Sequence, residues 1–189
     1  YPQIPDRTAN LLSDGEDPLP YLIRSAKLLE SAGVDAFLMP CNTAHAFAPG
    51  IKAAVKTPLI SIIESAVAEL KADYPNAKTV IPIATVGTKS AKLYENELKA
   101  AGFTVMELPE DLQANVTSAI YDGVKKGRTL EVASMFQETL DRIAAELKPD
   151  AMIAGCTEIP ILMAHVKTSI PMVDATLALA KAAVKFATK

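Results

Sequence analysis

Short apolar runs recur along the chain with amphipathic stretches between them, and this alternation restricts the fold more than any other feature of the sequence. Runs at 35–39, 58–62, 79–84, 103–108, 151–154 and 171–173 read as strands. Segments 17–33, 43–55, 63–72, 88–101, 112–126, 129–147, 158–166 and 175–188 carry apolar residues at helical spacing. Strands that alternate with helices imply an α/β fold with mainly parallel sheets. Asp17 can cap the first helix, Pro18 suits its first turn and Gly33 can end it. At 189 residues, 50% of them hydrophobic, the chain can bury one good core or two small ones that share an interface.

The chain also repeats itself. Val34-Asp35-Ala36-Phe37-Leu38-Met39-Pro40-Cys41-Asn42-Thr43 stands against Pro149-Asp150-Ala151-Met152-Ile153-Ala154-Gly155-Cys156-Thr157-Glu158, with 115 residues between Cys41 and Cys156. A proline and a further apolar run follow each unit, at Pro58 and Pro171, which are 113 residues apart. The pattern implies two similar α/β domains facing each other across an active-site cleft. Residues 1–73 with a returning segment 168–189 would form the first and 74–167 the second, with Tyr74-Pro75-Asn76 as the crossing.

Each cysteine follows an apolar strand and precedes a helix-starting sequence. In open parallel sheets ligands bind at that carboxyl end of the strands, and the next helix turns free N–H groups toward the same place. Asn42 or Thr43 can cap the first such helix and Thr157 the second. A helix N-terminus lowers a thiol pKa from about 8.5, which makes a base usable near neutral pH. Two cysteines are too few for a disulfide scaffold. Core filling is the usual fate of a lone Cys, but matched corners favour chemistry. A metal site needs three or four ligands, whereas the only histidines are His45 and His165 and no Cys-x-x-Cys occurs. No lysine stands in a Schiff-base pattern, so neither metal nor cofactor is expected.

Nineteen Lys and Arg against 22 Asp and Glu, a net charge of −3, point to neither nucleic acid nor an anionic membrane as partner. No run of roughly 18 apolar residues offers a membrane span, and no secretory signal is visible, so a cytoplasmic setting is expected.

Pro40-Cys41-Asn42-Thr43-Ala44-His45 and Gly155-Cys156-Thr157-Glu158-Ile159-Pro160 resemble the two signature motifs of the aspartate/glutamate racemase family, most closely its aspartate racemase branch. Supporting matches are Tyr1 to Thr8, Ala84-Thr85-Val86-Gly87-Thr88, Tyr121 to Gly127 and Pro171-Met172-Val173-Asp174. Glutamate racemases share the plan but carry a small polar residue where His45 stands and His where Glu158 stands. Family members also begin with a strand and a Gly-rich loop ahead of the Pro-Asp-Arg match, so the resemblance implies a further strand of the first sheet that this sequence lacks.

The resemblance implies cofactor-independent racemisation of an acidic amino acid, with Cys41 and Cys156 exchanging the α-proton on opposite faces, and a homodimer. Backbone N–H groups with Asn42, Thr43, Thr85 and Thr157 would receive the developing negative charge. Thr88 would assist Thr85, either in substrate binding or in capping the next helix. Glu158 would orient the substrate ammonium, and Arg7 and Lys125 would hold the side-chain carboxylate. Arg7 could instead pair with Asp6, and Lys125 and Lys126 could be solvated charges. His45 could contact the thiol or only pack; Asp174 suits a helix cap and His165 the surface. The rival readings are a glutamate or broad-specificity racemase, and a non-catalytic small-acid binder or thiol redox switch.

Overall fold

A computed structural model describes residues 1–188. The chain opens with α1 (Arg7–Leu12), which Asp6 caps by accepting from the Ala9 amide, and α2 (Leu19–Ser31). Gly33, at φ 76°, turns the chain out of α2, a left-handed conformation that glycine adopts without a Cβ penalty. Then follow β1 (Phe37–Leu38), a 3₁₀ turn (Thr43–Phe47), α3 (Ala48–Ala54), β2 (Leu59–Ile60) and α4 (Ile62–Asp73), capped by Ser61. The chain continues through β3 (Thr79–Ile83), α5 (Val86–Ser90), α6 (Leu93–Ala100), β4 (Thr104–Val105), α7 (Glu110–Ser118) and α8 (Thr129–Arg142). It ends with β5 (Ala151–Ala154), α9 (Ile159–Met163), β6 (Met172–Asp174) and α10 (Ala175–Ala187).

The fold is α/β with parallel sheets. β1 pairs with β2, and a four-stranded sheet runs in the order β4-β3-β5-β6, every pairing parallel. The sequence repeat is reproduced in the pairing register. Phe37 stands opposite Leu59 and Met152 opposite Met172, offsets of 115 and 113 residues. The Phe37 amide donates to the Pro58 carbonyl as the Met152 amide donates to that of Pro171.

Both faces of the larger sheet are covered, as a parallel sheet requires. Ile81, Ile83, Met152 and Ala154 pack beneath α7 and α8 with Leu112, Val116, Phe136 and Leu140. Val80, Ala151, Ile153 and Val173 face α4, α6 and α10 through Ile62, Leu70, Leu98 and Leu179. A smaller core joins α2 to β1 and α3 through Leu22, Ala26, Phe37, Ile51 and Val55.

Several local expectations are corrected. Within 168–188 the strand does not join the first sheet: β6 pairs with β5 in the larger one, while α10 shares a core with α4, a helix of the expected first domain. The helix expected over 88–101 is two, broken where Lys92 takes φ 51°. The helix expected over 43–55 begins as a 3₁₀ turn and restarts beside Pro49, whose nitrogen cannot donate to the preceding turn. α1 had no signal in the apolar spacing.

Candidate active site

Cys41 and Cys156 line one small cavity of about 100 Å³, well below the roughly 300–1,000 Å³ of drug-sized sites. Arg7, Asn42, Thr43, Thr85, Lys125, Thr157 and Glu158 line it too. Thr88 stands directly behind: its hydroxyl meets that of Thr43 at 2.9 Å and that of Thr85 at 3.1 Å, and Thr43 meets Thr85 at 2.9 Å. Thr85 also caps α5 by accepting from the Thr88 amide, so one hydroxyl belongs to both the cap and the cavity wall. The three hydroxyls are buried and come from either side of the Tyr74-Pro75-Asn76 segment. Gly87 makes that closeness possible, since a Cβ there would lie 2.7 Å from the Thr8 hydroxyl and 3.1 Å from a Thr43 methyl.

The two cysteine corners differ. Cys41 is half-buried, and its carbonyl is held by His45. His45 Nε2 accepts from the Ile62 amide, so the ring's proton sits on Nδ1, which donates to the Cys41 carbonyl at 2.9 Å. Burial lowers the His45 pKa, and the neutral ring ties the Cys41 loop to the start of α4. His45 therefore acts on the backbone of Cys41. Asn42 makes no side-chain cap; its Oδ1 accepts from the buried Tyr94 hydroxyl at 2.6 Å.

Cys156 is buried, with 9% exposure, and its thiol donates to Glu158 Oε2 at 2.8 Å. Thr157 Oγ1 donates to the same oxygen at 3.1 Å instead of capping the following helix. Burial pushes the Cys156 pKa far up, and the Glu158 carboxylate and the Cys41 thiol raise it further. This corrects the expectation that a helix N-terminus lowers it. The helix beyond Cys156 has only five residues and the one beyond Cys41 starts as a 3₁₀ turn, so little dipole is available to offset desolvation.

Arg7 Nη1 donates to the Pro5 carbonyl and has no ion pair with Asp6. Lys125 takes that position instead: its Nζ lies 3.9 Å from Asp6 Oδ2 and 3.9 Å from the centre of the Tyr121 ring. The structure thus adds Asp6, Thr8, Pro40 and Tyr121 to the cavity wall. Asp6, Thr8 and Tyr121 all lay inside the matched segments, which was the available signal. Tyr94 had none. Asp174 caps α10 through the Thr176 and Leu177 amides, and His165 is exposed. Among the described residues no group of three or more His, Cys, Asp or Glu is placed to hold a metal ion, and no helix is long and apolar enough to cross a membrane.

Comparison with known proteins places the sequence and the fold among racemases. Residues 1–183 match the family model described as Asp/Glu/hydantoin racemase. The broad specificity amino-acid racemase RacX of Bacillus subtilis is 28% identical over 163 residues, covering 86% of this chain and 69% of that protein. A glutamate racemase of Campylobacter jejuni is 25% identical over 154 residues, covering 80% of this chain and 58% of its own length. The chain therefore spans less than two thirds of that relative. Among solved structures, Picrophilus torridus aspartate racemase superposes with a TM-score of 0.82 at 27% identity, over 100% of this chain and 78% of that one.

Proposed function

The chain belongs to the Asp/Glu/hydantoin racemase family, and from that membership we propose that it racemises an acidic amino acid, aspartate foremost, by α-proton transfer between Cys41 and Cys156. The observation that carries this reading is the meeting of both thiols in one small cavity with neutral donors and two cations. Racemisation must take a proton from one face of Cα and return one to the other, which two opposed groups do most directly. Cys156, buried and bonded to Glu158, holds the proton to be delivered. Cys41 abstracts as thiolate; the Cα–H bond breaks, its electron pair moves into the carboxylate as an enediolate, and the Cys156 S–H bond breaks as its proton reaches the opposite face. The products are a Cys41 thiol and a Cys156 thiolate, and reversing the roles serves the other enantiomer. The two titrations belong to the pair.

No cofactor is required if the protein itself holds the enediolate charge. Asn42, Thr43, Thr85 and Thr157 supply neutral donors. Aspartate carries a second carboxylate, and Arg7 and Lys125 are the cavity's cations for it. Glu158 serves Cys156 first and the substrate ammonium second. A homodimer and a cytoplasmic setting belong to the same reading. A second reading, broader specificity, is favoured by the likeness to the broad specificity racemase.

Nuclear magnetic resonance in heavy water tests both. Incubation with L-aspartate removes the α-proton signal, and chiral chromatography shows the D-enantiomer accumulating. Equal rates on aspartate, glutamate and alanine favour the second reading; Arg7→Ala should then cost no more on aspartate than on alanine. A small-acid binder or redox switch would leave every α-proton in place, and that result would end the racemase proposal.

A further inference from the structure

Tyr94 is the second residue of α6, 2% exposed, and belongs to none of the sequence motifs. Its hydroxyl has a single hydrogen-bond partner among the described residues, Asn42 Oδ1, 52 positions away in the chain. Its ring packs against the strand end that leads into Cys156: a Cβ on Gly155 would fall 2.9 Å from Tyr94 Cε2. Tyr94 therefore spans the two cysteine corners, with its ring on one and its hydroxyl on the other.

The bond decides which way the Asn42 amide faces. A tyrosine O–H must donate to be satisfied when buried. Burial pushes the Tyr94 phenol pKa strongly upward, so the proton stays on. Asn42 offers an acceptor only through Oδ1; with the amide reversed, the N–H would face Tyr94 and the buried phenolic proton would be orphaned. Oδ1 is thus held toward Tyr94. Nδ2 is left buried with no partner in a residue that is 3% exposed and lines the cavity. Buried donors without partners are rare in folded proteins and mark places where another molecule completes the bonding.

We propose that Tyr94 is a positioning residue: it locks the Asn42 amide so that its N–H groups face the cavity as donors to the α-carboxylate of the bound amino acid. The proposal rests on the racemase reading only for the identity of that ligand. Tyr94 touches no reacting atom. Its effect is to prevent a half-turn of the amide that would set an oxygen against the carboxylate.

The experiment compares the wild-type chain with Tyr94→Phe, Asn42→Ala, their double variant and Asn42→Asp. Calorimetry reads aspartate binding, heavy-water exchange reads the α-proton, and thermal melting reads folding. Tyr94→Phe should weaken aspartate binding roughly tenfold, and the double variant should bind no worse than Asn42→Ala alone. Asn42→Asp keeps the acceptor for Tyr94 and replaces the N–H donors with oxygen, so it should bind at least as poorly as Asn42→Ala while still folding. Should Tyr94→Phe not fold, Asn42→Ala decides alone: aspartate binding within twofold of wild type would show that the amide donates nothing to the ligand and would overturn the proposal. Tyr94→Phe within twofold of wild type, or losses that multiply in the double variant, would overturn the proposal. Wild-type protein that binds aspartate in this pattern without exchanging its α-proton ends the racemase reading and leaves the positioning role intact. Wild-type protein that binds neither aspartate nor glutamate overturns both.

Discussion

The Cys41 and Cys156 corners share the same Asp-Ala-to-Cys spacing and are paired in matching register, yet they are different environments. Cys156 leaves an interior strand of a four-stranded sheet, under cover on both faces, and its thiol is hydrogen-bonded to a carboxylate. Cys41 leaves a two-residue strand, is half-buried, and has its backbone, not its sulfur, held by a neutral histidine. The contrast teaches that a repeated strand-to-helix corner fixes where a side chain stands, while its protonation is set by what packs around it. For a two-base reaction this asymmetry would make Cys156 the thiol that holds its proton at the outset.

The largest effects come from deleting either member. Cys41→Ala and Cys156→Ala should each lower racemisation by about a hundred- to ten-thousandfold, the range for loss of one acid–base group. Exchange with solvent sharpens the comparison further. A variant that retains one thiol should still exchange the α-proton of the enantiomer that thiol faces without inverting it, read by proton resonance beside chiral chromatography. Normal turnover by either variant would end the division of labour.

A smaller effect isolates the carboxylate. Glu158→Gln keeps an acceptor for Cys156 but removes the charge that raises its pKa, leaving burial in place. Iodoacetamide labelling followed by mass spectrometry should then show Cys156 alkylated about tenfold faster, with Cys41 as the internal reference. An unchanged Cys156 rate would assign the whole shift to burial.

The smallest expected effect separates the corners by pH. Cys156 stays protonated in the folded chain where an unfolded thiol has ionised, so stability is full below about pH 9 and declines as pH rises above it. Tyr94 adds to the same decline above about pH 10. His45 runs the other way: burial keeps it neutral where the unfolded ring takes a proton, so stability is full above about pH 6.5 and declines as pH falls. Melting temperatures across pH should show a shallower alkaline decline in Cys156→Ala and a shallower acid decline in His45→Asn. Either substitution altering the opposite limb would show that the two corners are not independent.

The sequence by itself determined the alternation of strands and helices, the twin corners and most of the cavity wall. These follow from local patterning: apolar period, caps such as Asp174 and Thr85, and motifs of a few contiguous residues. The tertiary structure decided what depends on distant segments meeting. It placed β6 beside β5, because the apolar faces of α10 and α4 are buried together over the larger sheet. It broke one helix at Lys92, where a single backbone dihedral overrides an unbroken apolar period. It brought Tyr94 to Asn42 across 52 residues. It also reversed the expected pKa shift of Cys156, because desolvation is a sum over everything packed around the sulfur, and a short helix beside it supplies too little dipole to compensate.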